Sequence, residues 1–168
     1  KSQWLASTLL IPLGFLLYSN HVQREAAKED RIQTVNVDRL SKIQDSGKSL
    51  DLALASYFQS IADLGLAQRH VRMPGAFEST SVKQAQLRVV ERRDEARKAL
   101  AEHASDVQRL RGTLNESASS QYMAALAGID AAVEGEADID RTGANITALS
   151  KLVVTRNAMV DSAMAKIG

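Results

Sequence analysis

The chain contains no cysteine. Disulfides, thiolate catalysis and cysteine-ligated zinc are therefore excluded, while either redox compartment remains open. Two prolines in 168 residues and an aromatic share of 4% remove the turn-rich, β-branched and aromatic look of a sheet protein. Charge of one sign is missing too: 21 basic residues face 20 acidic ones, a net charge of +1. Such a chain has no field to gather phosphates, and no nucleic-acid partner is expected.

What is present favours helix. From Leu40 to Val71 the positions Leu40, Ile43, Gly47, Leu50, Leu54, Tyr57, Ile61, Leu64, Gln68 and Val71 step by three and four, and all but Gly47 and Gln68 are apolar. A repeat of 3.5 keeps one stripe facing one way along a long helix, as in a coiled coil or bundle. The helix is expected to stop at Arg72-Met73-Pro74-Gly75, because a residue before proline avoids helix and glycine follows. Ser81 and Gln84 form a capping-box pattern, with Ser79 and Thr80 as competing caps.

A second seam follows: Val82, Gln86, Val89, Arg93, Ala96, Leu100, His103, Val107, Leu110, Leu114. Folded back antiparallel on the first, it sets Ile61 by Val89, Leu54 by Ala96 and Ile43 by Val107. It also sets Gly47 by His103, and Tyr57 by Arg93 as a cation–π pair. Gly112 weakens this helix by about 1 kcal/mol without necessarily ending it. The expected course is one helix running on to about Val133, as long as the first. A turn at Gly112, giving a shorter four-helix bundle, is the other course. Ala124, Gly128 and Ala132 form a small-residue face suited to close helix approach. After a loop from Gly135 to Gly143, a last helix is expected from near Thr142, with Ile146, Leu149, Val153, Arg156, Val160, Ala163 and Ile167 as its seam. The fold class is thus all-α: three or four long helices in an antiparallel hairpin or bundle over residues 21–168.

Residues 1–20 read as a membrane anchor. Trp4 to Tyr18 carries no charge, and Trp4 and Tyr18 bracket it where amphipathic rings prefer the interface. It is slightly short for a span, and a signal peptide competes, but no A-x-A site follows it. The expectation is a single-pass protein of a bacterial inner membrane, touching the bilayer through residues 4–18, with its helical domain outside the cytoplasm.

No chemistry-bearing motif emerges. Asp138-Ile139-Asp140-Arg141-Thr142-Gly143 resembles the first half of an EF-hand loop, but Leu149 stands where the closing bidentate Glu belongs. A solvated loop capping the last helix is expected instead. Gly47-Lys48-Ser49 lacks the upstream glycine of a phosphate loop. His21, His70 and His103 have no metal spacing, and no catalytic residue, cofactor or metal is expected. The basic and acidic residues of Arg88–Lys98 read as a solvated face. Arg93, His103 and Arg156 fall on seams, where polar groups must find partners, and read as a polar core layer. Leu52 and Leu66, with Phe58 nearby, point away from the first seam and read as a face for the third helix or for another chain.

These features suggest a membrane-anchored bundle acting through protein contacts, as a scaffold or accessory subunit, with partner subunits or its own copies. One anchor followed by long amphipathic helices also resembles the four-helix ectodomains of bacterial chemoreceptors and sensor kinases. That resemblance is architectural; it implies a ligand-sensing role, a polar pocket near Arg93 or Arg156, and a second span beyond Gly168.

Overall fold

Helices account for every regular element among the described residues of the computed structural model: α1 (Gln3–Val71), α2 (Ser79–Leu110), α3 (Glu116–Glu134) and α4 (Thr142–Ile167), with one 3₁₀ turn, Ile139–Arg141, before α4. The structure describes residues 3–71, 79–112 and 114–167, with side chains described over 24–70, 81–112 and 114–166. The expected stop at 72–75 lies outside them. So does the side-chain character of Trp4–Tyr18. Among the described residues no helix is long and apolar enough to cross a membrane.

The chain divides into two units, Lys1–Asp38 and Arg39–Gly168. In the first, residues 24–38 are exposed apart from a half-buried Asn36. Local contacts hold them, such as Lys28 with Glu25 at 3.1 Å and Thr34 Oγ1 donating to the Asp30 carbonyl at 2.7 Å.

The second unit is the bundle. Its share of α1 buries Leu40, Ile43, Leu50, Leu54, Tyr57 and Ile61, so the three-four stepping is the true core stripe. In α2 the stripe runs through Val89, Ala96, Leu100, His103, Val107 and Leu110. At its start Ala85 is buried and Gln86 is exposed, which moves that seam by one residue. Ser81 lies inside α2, two residues past its first residue, so it is not the cap.

The helix expected to continue to Val133 instead breaks. Arg111 N–H closes the last turn onto the Gln108 carbonyl, and Asn115 then caps α3, its side chain accepting from the amides of Ser117 and Ala118. The reason lies in the stripe. Continuing the step past Leu114 would bury Ser117, Gln121 and Gly128. The apolar set of α3 is Tyr122, Leu126, Ile129 and Val133, displaced by one to two residues. One straight helix turns roughly 100° per residue and cannot bury both stripes. Breaking at Gly112 lets each face the core. The small-residue face is not a close approach, since Ala124 and Gly128 are exposed.

In α4 the core positions are Leu152, Arg156, Met159, Val160 and Ala163, with Leu149 and Val153 half-buried. Ile146, expected on the seam, is exposed, and Leu152 and Met159 replace it. Cross-helix contacts set the directions. Ser46 meets His103 and Tyr57 meets Arg93, so α1 and α2 are antiparallel. His103 meets Tyr122 and Arg97 meets Glu134, so α3 reverses α2. Asp51 meets Arg156, and Gly65 lies under Ile139 just before α4, so α4 reverses α1.

Candidate functional site

The α1 stripe is interrupted at Gly47, and this gap organises the largest polar feature of the core. A Cβ at Gly47 would fall 2.7 Å from both Cδ and Nη1 of Arg156. Without it, Arg156 from α4 lies flat on the α1 backbone and reaches Asp51, one turn on. Its two terminal nitrogens donate to the two Asp51 oxygens at 2.8 and 2.6 Å. This is the bidentate fork that guanidinium and carboxylate form best. Arg156 is 5% exposed, whereas Asp51 keeps an edge toward solvent. The hydrogen bond to Asp51 outweighs burial and raises the Arg156 pKa above its ordinary value.

Tyr122 of α3 lies beside Arg156, close enough for cation and phenol to influence one another. The Tyr122 hydroxyl meets Nε2 of His103 on α2, edge-on to the ring, and Nδ1 of His103 lies 2.8 Å from Ser46 Oγ on α1. Ser46 in turn donates to the Ile43 carbonyl. One proton arrangement gives every hydrogen an acceptor. Tyr122 donates to Nε2, Nδ1–H to Ser46, and Ser46 to the Ile43 carbonyl. The tautomer is assigned from this network. Among the described residues no buried side-chain nitrogen or oxygen is left without a partner. All four helices contribute.

The surroundings keep the imidazole neutral. His103 is fully buried. Burial first, and then the Arg156 cation, lower its pKa to about 4; Asp106 and Asp51 oppose this more weakly. Burial likewise raises the Tyr122 phenol, partly offset by Arg156. A serine beside a histidine is the pairing of nucleophile and base. In the assigned tautomer the imidazole lone pair faces Tyr122 and Nδ1–H faces Ser46, the reverse of what a serine's base would present.

Arg93 stands apart from this layer. It is half-buried, donating from Nε to the Tyr57 hydroxyl at 3.1 Å and from Nη2 to the Gly135 carbonyl at 2.7 Å. Its guanidinium carbon is 5.7 Å from the Tyr57 ring centre. Beside it Arg97 forks onto Glu134 at 2.7 and 2.6 Å, an exposed pair that lowers the Glu134 pKa. So of Arg93, His103 and Arg156, the last two share one network and Arg93 belongs to another. Gly47 faces Arg156, where spacing had set it by His103.

Spacing missed Asp51, Tyr122 and Ser46. A seam arginine does ask for a carboxylate, but choosing Asp51 requires knowing how α4 lies on α1. Leu52 and Leu66 are 71% and 61% exposed. Phe58 does not belong with them: at 4% exposed it is core, its ring 5.5 Å from Tyr57. Lying one residue past Tyr57, it still falls within the broad apolar face that a multi-helix core demands. The Asp138 loop is local: Asp138 accepts from the Asp140 amide at 2.9 Å and pairs with Arg141. Among the described residues no cluster of three metal-ligating side chains occurs.

No family model, curated protein or solved structure matches the chain.

Proposed function

We propose that this protein is a membrane-anchored helical bundle that works by protein contact, as a scaffold or accessory subunit. The observation that carries the reading is the pair Leu52 and Leu66. They lie two heptads apart on α1, outside the core stripe and well exposed, while the neighbouring Leu50, Leu54 and Ile61 are buried. Leucines repeated on a free helix face suit a partner helix or a second copy. The anchor rests on the uncharged run Trp4–Tyr18. Single cysteines at Leu52 and Leu66 would be the only thiols in the chain, so bifunctional crosslinking in native membranes tests the face directly. An adduct at both positions, absent with cysteine at exposed Lys98, supports the reading; no adduct at either removes it. Deleting residues 4–18 is expected to release the protein from the membrane fraction.

A second reading, a signal-sensing ectodomain, draws on the antiparallel course of α1 and α4. The contacts Asp51–Arg156 and Gly65–Ile139 bring the C-terminal end of α4 toward Leu40, the end of the bundle where α1 enters. That return is what passing a displacement between first and last helices needs. Crosslinks between Leu40 and Lys166 that change yield with a stimulus would favour it.

A further inference from the structure

We propose that the Ser46–His103–Tyr122 chain is an acid-sensitive latch: a proton taken up by His103 unfastens a buried polar layer to which all four helices contribute and loosens the bundle. The geometry supplies the mechanism. In the assigned tautomer Nδ1 donates to Ser46 and Nε2 accepts from Tyr122, each ring nitrogen having one partner. A second ring proton turns Nε2 into a donor facing a phenol hydrogen. The Tyr122 hydroxyl must rotate, beside an Arg156 cation that already bears on the phenol. Its displaced hydrogen must then find a new acceptor in a site where an unmet buried donor is costly.

The charged and titratable groups around the ring offset the new cation only weakly. From α4 comes Arg156, itself positive. From α1 comes Asp51, both of whose oxygens are engaged by Arg156. From α2 itself comes Asp106, half-buried and paired with Arg109 at 3.8 Å. From α3 comes Tyr122, a neutral phenol. The closed bundle therefore binds the proton poorly, and an opened one, with His103 in water, binds it readily.

The sign follows from linkage. His103 titrates near 6.5 when free and at about 4 in the closed bundle. Above pH 6.5 neither state is protonated and the latch is fully closed. As pH falls from 6.5 to 4 the open state holds the extra proton, and closure weakens by up to tenfold per pH unit.

The test is the pH dependence of the unfolding midpoint of the full chain, wild type against His103→Gln, which keeps hydrogen-bonding capacity but cannot charge. Carboxylates are common to both proteins, so the difference isolates the imidazole. The expected result is that the wild type takes up one more proton on unfolding than His103→Gln between pH 6.5 and 4. Parallel pH curves would overturn the latch. Should His103→Gln fail to fold, imidazole ¹⁵N shifts of the wild type decide. A neutral His103 in the folded bundle at pH 5 supports the proposal. A protonated one, with amide exchange of Ser46 to Asp51 unchanged, refutes it.

Discussion

Two polar clusters of this bundle use the same chemistry at different depths. Around Asp51, His103, Tyr122 and Arg156 the groups come from four helices and are largely sealed from water. Around Tyr57, Arg93, Arg97 and Glu134 an arginine–tyrosine contact and an arginine–carboxylate fork recur, but at the edge, where water competes. The forks are nearly identical in length, 2.8 and 2.6 Å against 2.7 and 2.6 Å. Geometry alone therefore does not rank them. Depth does, because an unpaired buried charge has no solvent to fall back on, whereas an exposed one does.

Arg156→Ala should produce the largest effect. It leaves Asp51 without its fork and opens a gap on the α1 backbone, and is expected to cost about 3 kcal/mol in a urea titration. The pair Asp51→Leu/Arg156→Met should recover much of that loss, since apolar replacements remove the charge with its partner. If the single and double variants unfold alike, burial is not what distinguishes the clusters. Gly47→Ala comes next. Its methyl group would sit 2.7 Å from the Arg156 guanidinium, and pushing that side chain off the helix should cost about 1–3 kcal/mol. A midpoint equal to wild type would show that Arg156 has another low-energy seat. Arg93→Ala, which gives up half-buried bonds to Tyr57 and the Gly135 carbonyl, should cost about 1 kcal/mol. Arg97→Ala should leave the midpoint where it was; a loss matching that of Arg156→Ala would erase the distinction.

The core of α1 was legible because Leu40, Ile43, Leu50, Leu54, Tyr57 and Ile61 repeat at a period that only a one-sided helix satisfies. Its pairing with α2 was nearly legible as well: the Tyr57–Arg93 contact follows from simple antiparallel register. Leu52 and Leu66 were readable as off-seam, but Phe58 was misplaced with them, because a four-helix core wraps further around α1 than a two-helix seam does. The break at Leu110–Asn115 was harder. Gly112 is weak evidence by itself, and the decisive sign was the slip between the Leu114 stripe and the Tyr122 stripe. In α4 the seam slid toward Leu152 and Met159, because α4 has two neighbours to satisfy and its apolar residues allow more than one stripe.

Period and composition, read along the chain alone, determined that this is an all-helical protein with a long first helix, an apolar amino end and two leucines off the first seam. Those properties are local: a 3.5-residue repeat or an uncharged run is complete within its own segment. Which buried arginine meets which carboxylate, why a glycine interrupts the first stripe, and how a histidine stays neutral were decided only by tertiary structure. Each depends on side chains more than fifty residues apart, brought together when α4 packs against α1 and α3.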